Sequence, residues 1–102
     1  MFQLYFYCPI KDKEKVKSAL FEVGAGRIGN YDCCCFEYEG VGQFRPLVNS
    51  SPAIGSLNKI EKVTEVKIEM VFSDEKKDQV IKALKSSHPY EEVAYGIIRL
   101  EY

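Results

Sequence analysis

The sequence predicts an α+β fold, a ferredoxin-like βαββαβ sandwich in which two helices cover one face of a four-stranded antiparallel sheet. Three observations predict it. Period-two alternation recurs in four stretches, helical amphipathic spacing occurs in two, and they follow one another as β-α-β-β-α-β. Helices joined to a sheet in that order bury their apolar stripes on one face and leave the other face bare.

Residues 2–8 alternate, with Phe2, Leu4, Phe6 and Cys8 on one side and Gln3, Tyr5 and Tyr7 on the other; Pro9 ends this strand. The first helix follows, because Val16, Ala19, Leu20 and Val23 recur at helical spacing, with Asp12 placed to cap it and Gly24 placed to stop it. Residues 31–39 are expected as the second strand, with Cys34, Phe36 and Tyr38 on one face and Cys33, Cys35 and Glu37 on the other. An irregular arm rich in Gly, Pro, Asn and Ser is expected at about 40–62; loops of that length are uncommon in compact domains and are often functional. Residues 63–72 form the third strand, with Val66, Ile68, Met70 and Phe72 inward. Ser73 opens a second helix running to about Ser87, with Val80, Ile81 and Leu84 inward. The last strand is expected from about Glu92 to Tyr102, with Ala94, Ile98, Leu100 and Tyr102 on one side and Val93, Tyr95 and Ile97 on the other.

The chain has 102 residues and reads as one domain, 1–102. A hydrophobic content of 46% is enough for a core without staples. A net charge of −1 argues against a phosphate-backbone binder, so no nucleic acid is expected as partner. No apolar run is long enough to cross a membrane, and the N-terminal MFQLYFYCPIK lacks the basic region of a signal peptide, so it reads as a first strand and the setting as cytoplasmic. By strand parity the bare face carries Tyr5, Tyr7, Cys33, Cys35, Glu37, Glu65, Lys67, Glu69, Val93, Tyr95 and Ile97. A face this rich in tyrosine and aliphatic groups is expected to pack against another subunit, with a solvated sheet face as the alternative.

Three motifs bear on chemistry. Gly24-Ala25-Gly26-Arg27-Ile28-Gly29 matches GxGxxG, but a helix precedes it and a strand follows, the reverse of a dinucleotide site. It reads as a helix stop and a tight turn, with an anion-binding nest of glycine amides as a weaker possibility. Cys33, Cys34 and Cys35 are adjacent, and neighbours on a strand point to opposite faces, which suits reduced thiols better than a shared metal; a soft ion such as copper remains open. His88-Pro89-Tyr90-Glu91-Glu92 holds the single histidine. Pro89 explains a helix stop. His88 with Glu91 or Glu92 makes half of a metal site, which Cys34 or a second subunit would have to complete.

GAGRIGNYDCCCF (24–36), GVGQFRPLVNSSPAIG (40–55), EKVTEVKIE (61–69) and ALKSSHPYEEVAY (83–95), in this order, resemble the domain inserted in the middle of many bacterial Nif-three-like (YqfO-type) proteins. That domain also occurs alone as a short protein. The resemblance spans about the whole chain. HPYEEVAY is also similar to the His-Pro-Tyr-Glu stretch of CutA, a trimeric ferredoxin-like protein linked to divalent cation tolerance, and the inserted domain is regarded as CutA-like. Positions matching the family pattern include Gly26, Gly29, Asn30, Tyr31, Cys34, His88, Tyr90, Glu91 and Glu92, whereas Cys33 and Cys35 depart from it. The paired-metal site of full-length Nif-three-like proteins lies in flanking halves outside this sequence and is not carried over. The residues give no support to the GTP cyclohydrolase label attached to that family.

Taken together, these readings imply a non-catalytic oligomeric module, a trimer by resemblance, that binds or senses a small ligand or a metal ion, either a divalent ion or copper. The alternative is an accessory domain or partner of a Nif-three-like metal-dependent hydrolase. The residues expected at the ligand are His88, Glu91, Glu92 and Cys34.

Overall fold

The computed structural model describes residues 1–101, so the expectation for Tyr102 lies outside the described residues. Eight residues, Phe2–Pro9, form β1, and α1 spans Lys13–Glu22. The strands β2 and β3 span Phe36–Phe44 and Glu61–Phe72. Helix α2 spans Lys77–Ser87 and β4 spans Tyr95–Arg99. One turn of 3₁₀ helix precedes each α-helix, at Ile10–Asp12 and Asp74–Lys76. The sheet order is β2-β3-β1-β4 with every pairing antiparallel. This is the ferredoxin-like sandwich that the pattern predicts.

Registry puts the core where alternation places it. Leu4 lies opposite Met70, Phe6 opposite Ile68 and Cys8 opposite Val66. These side chains meet Val16 and Leu20 of α1 and Val80 and Leu84 of α2, and all four of those helical residues are fully buried. Burying one such side chain contributes roughly 1.5–3 kcal/mol, so the two central strands carry most of the stability. Gly24, at φ +98°, stops α1 in the left-handed region as expected. His88, at ψ 141°, leaves α2 in extended backbone before Pro89. The expected caps differ. Neither Asp12 nor Ser73 makes a side-chain cap bond, because each is drawn into or next to the 3₁₀ turn that precedes its helix.

Three strand expectations need correction. The second strand begins at Phe36, not residue 31, and runs five residues into the stretch read as an irregular arm. Residues 28–31 instead make a minute hairpin, Ile28 pairing with Tyr31 around Gly29 and Asn30. Gly29 takes φ +56° at the first central position, as a II′-type turn requires. The faces of β2 are also reversed. Glu37 lies opposite Ile68 and faces the helices, where Lys13 and Lys17 meet it at 2.5 and 2.8 Å. Phe36 and Tyr38 face outward, at 65% and 46% exposure. Parity cannot reveal this reversal, because two lysines projecting from α1 make the helix side of this edge strand polar. Finally, Tyr95 and Ile97, expected on the bare face, lie opposite Phe6 and Leu4 and pack against the core. Cys35 also packs there, and Cys33 stands outside any strand at φ +55°.

β3 is longer than its neighbour β1. Residues 65–72 pair with β1, whereas 61–64 pair with β2 alone. The β2–β3 ribbon therefore projects beyond the sandwich, and the molecule measures 46 × 24 × 24 Å. Residues 45–60 join the two ribbon strands.

Candidate functional site

Helix α2 ends at the same end of the sheet from which the ribbon projects. Three consecutive features follow from the order His88-Pro89-Tyr90-Glu91. His88 is 7% exposed. Its Nδ1 accepts the Tyr90 amide N–H at 3.1 Å, which places the proton on Nε2, and Nε2 donates to the Tyr7 carbonyl at 2.7 Å. Burial lowers the imidazole pKa, and the Tyr7 carbonyl together with Glu65 and Asp12 only partly opposes this. The ring is thus a neutral strut between α2 and β1. Both ring nitrogens are engaged with the backbone in this arrangement.

Tyr90 follows as part of a wall. Its ring packs on Phe44 of the ribbon, with centroids 5.9 Å apart. Its hydroxyl is buried beside the Glu65 carboxylate. Burial raises the phenol pKa, and the adjacent Glu65 raises it further, so the proton stays on. Glu91 then ties the long loop down, its Oε1 accepting the Ser51 amide at 2.7 Å. The loop is itself built from short turns: Ser50 caps back onto Leu47, and the Asn58 amide donates to the Pro46 carbonyl at 2.7 Å. Pro46 is buried.

Between this folded-back loop and the bare sheet face lies a cavity of about 560 Å³. Its walls are Tyr7, Phe44, Pro46, Leu47, Pro52, Ile54, Tyr90 and Ala94, with Glu65, Glu91, Glu92 and Arg45 among the polar groups. The size and the mainly apolar lining suit a small organic molecule. Glycine makes room for the key carboxylate. A Cβ on Gly42 would stand 1.8 Å from Glu65 Oε1, so the bare strand lets that carboxylate lie across β2. Beneath the site are two further buried groups. Cys8 donates its thiol to the Pro9 carbonyl and has its pKa pushed up to about 12, chiefly by burial, while Asp12 Oδ2 has no partner.

The fold brings together only some of the residues expected at a ligand. Glu91 and Glu92 line the cavity and His88 braces it from behind. Cys34 lies elsewhere, its amide held by the Gly26 carbonyl beside the small hairpin. Among the described residues no three His, Cys, Asp or Glu side chains stand close enough to hold a metal ion. The glycine run offers no anion nest, because the amides of Gly24, Ala25 and Gly26 all donate to main-chain carbonyls. Gly26 is confined by Phe21 and by the Cys34 carbonyl, which a Cβ would approach to 2.8 Å. Tyr31 is largely exposed. The sequence flags the stretch at about 40–62 as a loop of the kind that is often functional and places Glu65 on the bare face, but it does not join Phe44, Glu65 and residues 45–54 into one site. The contact of the Glu65 side chain with Gly42 depends on strand register, in which Gly42 lies opposite Val63, and no local pattern marks it.

A second feature adjoins the cavity on the bare face. Lys67 Nζ sits 4.9, 5.9 and 6.0 Å from the ring centroids of Tyr5, Tyr7 and Tyr38. Phe36 and Ile98 flank the cluster and are more than half exposed. Tyr5 and Tyr7 therefore lie where parity placed them, and Phe36, Tyr38 and Ile98 replace Tyr95, Ile97 and Cys35 on this face.

No protein-family model matches the chain. It is 46% identical, over 97% of its length, to a Bacillus subtilis (strain 168) protein described as GTP cyclohydrolase 1 type 2 homolog, of which it spans 26%. Among solved structures it is similar to the Bacillus cereus protein related to NIF3, with a TM-score of 0.84 and 38% identity, covering 99% of this chain and 26% of that one. It also matches the periplasmic divalent cation tolerance protein CutA from Archaeoglobus fulgidus at a TM-score of 0.70, covering 100% of this chain and 86% of that one. At 21% identity that likeness shows the fold alone. The chain spans about a quarter of the length of the curated relatives it matches. It is thus similar to one segment of longer NIF3-related proteins, and its fold is CutA-like.

Proposed function

We propose that this chain is a non-catalytic module that binds and senses a small molecule in the cavity beneath the folded-back loop, and that it works as a homo-oligomer. The observation that carries the reading is the cavity itself, with apolar walls, a few convergent polar groups and a loop latched by Glu91 to the segment after α2. His88 supports the non-catalytic part, since a neutral imidazole with both nitrogens engaged is not available as a general base. Oligomerisation draws support from the exposed aromatic cluster and from Val41, Leu47, Val48 and Ile60 on the ribbon and its loop, all more than half exposed. A trimer is the state proposed, by analogy with the CutA-like fold. A cytoplasmic setting belongs to the same reading, with four free cysteines as support.

The name of the CutA neighbour directs attention to divalent cations. Among the described residues no three His, Cys, Asp or Glu side chains converge, so an ion that needs three or four protein ligands would draw some of them from a second subunit. Two measurements test the main reading. Fragment screening by amide-resonance perturbation is expected to move Phe44, Ala53 and Ala94. Sedimentation is expected to give an oligomer at micromolar concentration. A clean monomer whose cavity residues respond to no fragment would remove the reading.

A second reading has one observation in its favour: the segment match within longer NIF3-related proteins. On that reading the domain is an accessory or partner of a metal-dependent hydrolase. Co-elution with the separately expressed flanking regions of the Bacillus subtilis relative tests it.

A further inference from the structure

We infer that the cavity selects a small organic cation, a protonated amine carried on an apolar or aromatic body. The inference rests on the proposed ligand-binding role of the cavity and adds the chemistry of its occupant. Three carboxylates line the space, Glu65, Glu91 and Glu92, against one exposed guanidinium, Arg45. A bound anion would meet that excess directly. Glu91 is partly neutralised as a hydrogen-bond acceptor by its contact with Ser51. Glu65 is not, for it forms no ion pair among the described residues, although it is half-buried. A half-buried carboxylate without a cation is an unmet electrostatic demand that an ammonium would satisfy.

Two further observations point the same way. The hydroxyl of Tyr90 is walled in next to Glu65 and can point its proton at one carboxylate oxygen, which holds the carboxylate in place but leaves its charge uncompensated. The walls also offer aromatic faces in Tyr7, Phe44 and Tyr90. Rings of this kind attract a nearby ammonium, and the protein's own Lys67 already stands 5.9 Å from the Tyr7 centroid. Gly42 keeps the arrangement intact, since any side chain there would push Glu65 aside. The amine would sit between Glu65 and the tyrosine rings, with its apolar body along Pro46, Leu47 and Ile54.

The test compares three probes of like shape on the purified chain: 2-phenylethylamine, 2-phenylethanol and 3-phenylpropionate. Affinities are read from amide-resonance titrations at Phe44, Ala53 and Ala94. The amine is expected to bind about tenfold tighter than the alcohol, and the carboxylate weakest. Glu65→Gln, which retains the shape, is expected to abolish the difference between amine and alcohol. The exposed Glu92→Gln serves as a second variant and is expected to lower the amine preference by less than threefold or so. Binding of all three probes with no preference for the amine overturns the cation inference and leaves the ligand site standing. A preference for the amine that survives Glu65→Gln overturns it as well. Perturbation by none of the three removes the cation inference, and the silence of the same residues to a wider fragment set removes the binding role with it.

Discussion

The two halves of β3 differ in everything except their alternating sequence. From Glu65 to Phe72 the strand has β1 on one side, β2 on the other along part of its length, and two helices over its apolar face. From Glu61 to Thr64 it has β2 alone, and both faces of the ribbon lack a helix cover. One half is enclosed and supplies stability. The other projects, and its β2 partners Gly42, Gln43 and Phe44 line the cavity with the connecting loop. The contrast teaches that the fold separates the region that resists unfolding from the region available for contact.

Substitutions break this comparison in order of size. Phe6→Ala empties a fully buried site at the centre of the enclosed half. It is expected to cost about 3–5 kcal/mol, read as a lower urea midpoint. His88→Ala is expected to cost about 2–3 kcal/mol, because it leaves the Tyr7 carbonyl and the Tyr90 amide unpaired at the joint between the halves. The same histidine gives a pH signature. Its folded pKa lies below the unfolded value of 6.5, so the unfolded chain takes up the proton first. Its contribution is complete above that unfolded pKa and is lost as pH falls from about 6.5 through the folded pKa. Urea midpoints of the wild type are expected to fall between pH 7.5 and 5.5, and those of His88→Gln to fall less.

Smaller effects sharpen the distinction. Gly42→Ala is expected to change stability by under about 1 kcal/mol while displacing the Glu65 carboxylate, so the amine probe weakens and the urea midpoint hardly moves. A stability loss as large as that of Phe6→Ala would show that the ribbon is part of the core after all. Phe36→Ser, at an exposed position of the bare face, is expected to alter stability by no more than about 0.5 kcal/mol. Sedimentation of that variant is expected to shift toward the monomer.

Much of the sandwich was legible because its central strands and helices obey strict periods. Phe2, Leu4, Phe6 and Cys8, and Val66, Ile68, Met70 and Phe72, read correctly from parity alone. The edges did not. Strand β2 has an edge position, and its helix side is made polar by the Lys13–Glu37–Lys17 group, so polarity no longer marks which face is buried. Residues of β4 read inverted for a related reason: Tyr95, Gly96, Ile97 and Ile98 offer no polar–apolar alternation to fix the face. The motif at His88 was visible as a motif, but its division of labour was not. Its histidine braces the backbone, its tyrosine makes a wall and its first glutamate holds a loop forty residues away.

By itself the sequence determined the fold class, the order of elements, the two inward faces of β1 and β3, and the stops at Gly24 and His88. Each of these depends on neighbours within a few residues, where turn geometry and side-chain periodicity act directly. Only the tertiary structure decided that Glu65 lies over Gly42, that Ser51 meets Glu91, and that the long loop closes a cavity against the bare face. Those contacts join residues from 23 positions apart, in Gly42 and Glu65, to 40, in Ser51 and Glu91. They arise only when register and chain reversal bring distant segments together, and no local preference encodes that meeting.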